Sequence, residues 1–242
     1  MPRDDHLPEA LRYRRDRLGD PVSDAHDADD RVLVSRRWAA YAAYANAVMA
    51  LVQLMTSGGD PKANGVVGLV NNAAGVLWAL SFVPLAFVFY RSSRTHATVV
   101  SVAVFAFGLV AFAGSAFLEI STAMGRLTFE QETIAYYPVL GAIGVWLVMA
   151  EGVALLETDL PRAPLAFGIM TGALWFLANV LFGAGGLPSP TAVESVNDAT
   201  DGGVLLLETA FLLQPFWGLW LGRSLLAPPR VEPARPGNGS PR

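Results

Sequence analysis

Residues 136–156 read YYPVLGAIGVWLVMAEGVALL, twenty-one residues with one carboxylate and no basic side chain. A helix rises ~1.5 Å per residue, so this stretch covers the ~30 Å hydrocarbon core of a bilayer once. Outward from it, five more apolar runs of similar length occur at 38–55, 66–90, 97–118, 163–187 and 204–226. Segments such as SGGDPKANG, RSSRTH and ETDLPR separate them, and their Gly, Pro, Ser and Asp are turn formers. The pattern predicts an all-α fold: a polytopic membrane protein with a bundle of six transmembrane helices over residues 38–226.

The flanks are of a different kind. Residues 1–37 interleave eight arginines with nine acids and have no sustained apolar period, so they read as disordered or loosely helical. They lack the short basic region, apolar core and small-residue site of a signal peptide. The tail 227–242, APPRVEPARPGNGSPR, is too rich in Pro and Gly to bury a core and is predicted to be disordered.

Composition excludes several chemistries. Of the 242 residues, 53% are hydrophobic and 16% charged, against about a quarter charged in soluble domains. There is no cysteine, hence no disulfide, no thiolate nucleophile and no zinc or iron–sulfur site built on thiolate. His6 and His26 lie in the charged N-terminal segment and His96 at the edge of an apolar run, which leaves no histidine pair for a haem at membrane depth. The single lysine, Lys62, falls in a turn segment, so a Schiff base within the bilayer is excluded. Walker A, GxGxxG, HExxH and GxSxG motifs are all missing. The expectation is therefore a non-enzyme with no catalytic residue, no metal, no cofactor and no nucleic-acid partner.

Orientation follows from the arginines. With a cytoplasmic N-terminus, fifteen basic residues fall inside and only Lys62 and Arg126 outside, as the positive-inside rule demands. Both termini are then cytoplasmic. Sixteen arginines to one lysine, with abundant Ala and Gly, suggest a GC-rich genome and so a bacterial inner membrane. The formal net charge of −4 divides into +3 inside, −5 outside and −2 from two carboxylates within the spans.

A short internal match hints at duplication. GVLWALSFV (75–83) aligns with GALWFLANV (172–180), and VMA recurs at 48–50 and 148–150. The matched spans run in opposite directions, which is the geometry of an inverted 3+3 repeat.

Polar groups at membrane depth are costly and mark candidate sites. Glu151 lies five residues from the inner end of the fourth span, and Glu208 four residues into the sixth from its outer end. Glu119 and Glu157 sit at span ends and read as interfacial charges. Gln53, Asn71, Asn72 and Asn179 occupy the outer thirds of their spans, the leaflet of Glu208, while Asn46 and Gln214 lie nearer the middle. Pro215 lies on the Glu208 face and cannot donate to the Phe211 carbonyl. Two readings stand. In the first, the protein is a small-solute or ion transporter. Glu208, Glu151, Asn71, Asn72, Asn179, Gln53 and Gln214 then handle a solute, cation or proton. In the second, it is a non-transporting scaffold, sensor or accessory subunit whose amides join helices. The bilayer is the one partner common to both.

Overall fold

A computed structural model describes residues 21–56, 65–94, 97–158, 160–185 and 198–227. They form six helices: α1 (Pro21–Thr56), α2 (Val66–Ser93), α3 (Thr98–Ala123), α4 (Phe129–Glu157), α5 (Arg162–Gly185) and α6 (Asp198–Leu226). Each contains a segment long and apolar enough to cross a membrane. Phe87, Phe117, Phe176 and Phe216 are exposed on the outward faces, an apolar belt suited to lipid and unfavourable in water.

Each helix packs against those before and after it in the chain, and α1 closes against α6. The result is a sequential ring, with α2 leaning inward onto α4. One end of the ring carries Arg36, Arg37, Arg91, Arg94, Arg162 and Arg223. The other carries, among the described residues, only Arg126.

Small residues let the helices close on one another. A Cβ on Gly144 would stand 2.6 Å from the Gly172 carbonyl oxygen, and the reverse distance is the same. The backbones of α4 and α5 therefore touch where no side chain fits. Ala39, Ala43 and Ala47, spaced four apart, are fully buried along α1, and Gly218 of α6 lies against the Ala43 carbonyl. Van der Waals contact of this kind drives helix association where no water is present.

Inside the ring sits an aromatic cluster. Trp78, Trp146, Trp175, Trp217, Phe82 and Phe112 are all fully enclosed. Trp78 meets Trp175 edge to face at 5.6 Å, Phe82 stacks on Phe112 at 5.1 Å, and Phe112 meets Trp146 at 4.8 Å. Such pairs contribute about 0.5–1.5 kcal/mol each beyond area burial.

Two boundaries differ from the expectation. α1 starts at Pro21 rather than Trp38, because no Gly or Pro interrupts the chain between Val22 and Thr56. The second concerns residues 119–133, which fall between two apolar runs of the sequence but are mostly helical. α3 runs to Ala123, where Gly125 turns the chain at a φ of +68°. α4 then starts at once on a capping box: Thr128 accepts from the Gln131 N–H at 3.2 Å while Gln131 accepts from the Thr128 N–H at 3.0 Å. Only residues 124–128 connect the two helices. Residues 1–20, the tail 228–242, Lys62 and the segment 186–197 lie outside the described residues.

Candidate functional site

The shortened connection brings two carboxylates into the body of the protein. Along α3 the buried residues Ser101, Val104, Gly108, Ala111, Ser115 and Glu119 recur at intervals of three and four, a single helix face. Glu119, an interfacial charge by its place in the sequence, lies on that face and is only 3% exposed. Glu132 follows the α4 cap by one helical turn and is 8% exposed.

A cavity of about 420 Å³ lies at the arginine-poor end of the ring. Five helices line it: α1 with Gln53 and Leu54, α2 with Asn71, and α3 with Glu119. α4 adds Glu132, Thr133, Tyr136, Tyr137 and Leu140, and α6 adds Leu207, Glu208, Phe211 and Leu212. Among these described lining residues none is basic.

Glu119 is the most constrained of the three acids. Its Oε1 accepts from Gln53 Nε2 at 3.3 Å, and Glu132 and the Tyr136 side chain lie beside it. Tyr136 Oη accepts from Ser115 Oγ at 3.3 Å. Glu119 Oε2 and Gln53 Oε1 are buried without a hydrogen bond of good geometry, although the Tyr136 hydroxyl lies beside both residues. Gly75 of α2 makes room for the group, since a Cβ there would fall on the Glu119 carboxylate and 2.8 Å from Gln53 Nε2. Most buried polar atoms are hydrogen-bonded, so two unpartnered oxygens on residues that line a cavity point to a polar role for this place.

The candidates from the sequence separate into groups. Gln53, Asn71 and Glu208 share the cavity. Glu208 is exposed and Asn71 accepts from Thr56 Oγ1 at 2.8 Å. Asn72 is half-buried and does not line the cavity. Asn179 is not brought in either: its Nδ2 donates to the Trp175 carbonyl one turn back at 2.9 Å, and the side chain packs on Gly141.

Gln214 and Glu151 lie elsewhere. Gln214 Nε2 donates to Asn46 Oδ1 at 2.7 Å, and Asn46 Nδ2 donates to Ser81 Oγ at 2.8 Å, a buried chain across α6, α1 and α2. Glu151 is fully buried between Trp217 and Gly168.

The aromatic cluster connects these places. Phe211 lines the cavity and packs on Trp175 at 5.7 Å. Contacts then run through Trp78 and Phe82 to Trp217, whose indole bonds Glu151. The cavity thus stands on one side of an aromatic plug, with Glu151 on the other. The signal that could have found Glu119 was its register on the α3 face, and for Glu132 it was the capping box. The chain matches no family model, no curated protein and no solved structure.

Proposed function

We propose that this chain is a multi-pass protein of a bacterial cytoplasmic membrane, with both termini in the cytoplasm and its arginine-poor end outside. In this reading it moves a cation, a proton or a small charged solute. The cavity is the outward-facing vestibule, and the plug built on Trp78, Trp146, Trp175 and Trp217 closes the path inward. One observation carries the proposal: Glu119 lines a 420 Å³ cavity yet is nearly inaccessible, with one carboxylate oxygen buried and unpartnered. A carboxylate at depth needs water, a proton or a cation to offset its burial. Glu151, beyond the plug, is the next such group along the path.

An inverted 3+3 repeat does not enter this reading. A two-fold axis in the membrane plane reverses the cyclic order of helices seen from one side, whereas matching α1–α3 to α4–α6 around a sequential ring preserves it. The scaffold reading draws on a different observation. The chain Gln214–Asn46–Ser81 ties three helices together away from the cavity, and amides used this way act as glue.

The test is reconstitution of the full chain into liposomes loaded with indicators for H⁺, Na⁺ and K⁺. Flux that Glu119→Gln abolishes and Glu208→Gln reduces supports transport. A protein that is folded and inserted yet moves none of these ions, nor an amine, supports the scaffold.

A further inference from the structure

The chemistry of the cavity wall narrows the class of ligand. This inference rests on the reading of the cavity as a solute site and goes on to name the solute. Three carboxylates, Glu119, Glu132 and Glu208, line it, and among the described residues no basic group answers them. Two of the three, Glu119 and Glu132, lie side by side and buried. Like charges in a poorly solvated pocket repel, and a positive charge between them offsets that. A proton held by one of the pair or a cationic occupant relieves the repulsion, and the rest of the wall favours the cation.

A bare divalent ion fits poorly. Calcium takes six to eight oxygens and magnesium an octahedron, and among the described residues no three acid, histidine or cysteine side chains converge on one point. The rest of the wall points elsewhere. Tyr136, Tyr137 and Phe211 present ring surface, and Leu140, Leu207 and Leu212 present aliphatic surface. A volume of about 420 Å³ falls within the ~300–1,000 Å³ typical of small-molecule sites, which are mostly apolar with a few placed polar groups. Aromatic faces also attract ammonium groups directly.

We infer that the cavity binds an organic ammonium ion. Its charged nitrogen sits against the Glu119 carboxylate and Gln53 Oε1, and its apolar body lies on Tyr137, Phe211 and Leu140. The two unpartnered buried oxygens, Glu119 Oε2 and Gln53 Oε1, are acceptors on α3 and α1, and an ammonium is a donor with up to three hydrogens.

The probe is 2-phenylethylammonium, with neutral 2-phenylethanol as its isostere and Ca²⁺ as the inorganic cation. Titration calorimetry on the full-length protein in detergent should show saturable amine binding, with the alcohol weaker by roughly tenfold or more. Glu119→Gln should weaken the amine by about tenfold or more, as loss of a buried charge partner does. Glu157→Gln, exposed at the arginine-rich end of α4, should leave it unchanged.

A second measurement does not depend on Glu119→Gln folding. The chain has no cysteine, so Leu207→Cys places a single thiol on the cavity wall. An ammonium-bearing methanethiosulfonate should modify it faster than a sulfonate-bearing one, and the amine should slow both. Equal binding of amine and alcohol, Ca²⁺ binding in place of the amine, or a labelling rate the amine does not change overturns the inference. Amine binding without flux leaves the inference standing and removes the transport reading. Flux of H⁺, Na⁺ or K⁺ without amine binding does the opposite.

Discussion

Trp217 donates its indole N–H to Glu151 Oε1 at 2.7 Å, and neither side chain has any accessible surface. The other carboxylate oxygen, Oε2, has no hydrogen-bond partner, which leaves Trp217 as the donor that holds this acid in place. Among the four enclosed tryptophans this indole is set apart, for the N–H groups of Trp78, Trp146 and Trp175 are buried without an acceptor. Trp217→Phe strips Glu151 of that donor. It should destabilise the protein by about 1–3 kcal/mol, the cost of an unsatisfied buried group. In a double-mutant cycle with Glu151→Leu, the double variant should lose less than the sum of the singles. Strict additivity in unfolding from mixed micelles would show that the pair is not coupled.

Gly75 offers a substitution aimed at the cavity rather than at the fold. A Cβ at this position would first meet the ends of two side chains, the Glu119 carboxylate and the Gln53 amide. Side-chain ends can turn aside at modest cost, so Gly75→Ala should keep the helices and move the acid. Circular dichroism should be unchanged, while flux or amine binding falls about tenfold or more, as expected when a buried charge partner is displaced. Wild-type activity in Gly75→Ala would mean that the position of Glu119 does not matter.

How much of this was legible beforehand depends on which coordinate of a helix is asked about. Height along the bundle axis was legible, because it is a count of residues along an apolar run at a fixed rise. Angle was not, because it depends on which stripe the neighbours cover. In α6 the buried set Leu207, Ala210, Gln214, Trp217, Leu221 and Leu225 recurs every three or four residues, and Glu208 sits one position off it, about 100° away. It is accordingly exposed at the cavity rim. Glu151, next to the buried Ala150 and Ala154 on α4, falls on its helix's stripe and is enclosed. Asn179 lies on the stripe of Trp175 and Phe182 on α5, but its amide turns back on its own helix and packs on Gly141. Glu119 was misread for another reason: its run ended in sequence at Leu118, but α3 extends past that point to Ala123 before Gly125 turns the chain.

Asn46 supplies a test of the glue between helices. It accepts from Gln214 and donates to Ser81 within a fully buried environment. Asn46→Leu leaves the Gln214 amide without its acceptor and should cost about 1–3 kcal/mol. Adding Gln214→Leu removes the stranded amide and should recover part of that loss, since replacing both partners by apolar groups can be nearly neutral. No recovery in the double variant would locate the cost in packing rather than in the hydrogen bond. Neither change touches the cavity wall, so ligand binding in the folded fraction should match wild type.

The membrane orientation can be read from the two ends of one helix. Thr98 begins α3 at the arginine-rich end and is exposed, while Met124 caps it at the arginine-poor end and is 59% exposed. Because the chain contains no cysteine, Thr98→Cys and Met124→Cys each supply a single reactive thiol. Translocating arginine is disfavoured, so the end with Arg36, Arg37, Arg91, Arg94, Arg162 and Arg223 should face the cytoplasm. A membrane-impermeant maleimide added to intact cells should then label Met124→Cys fully and Thr98→Cys only after permeabilisation. The reverse pattern would place the cavity on the cytoplasmic side. Glu119 would then meet ligand from within the cell, and the plug around Trp146 would close the path to the outside rather than to the inside.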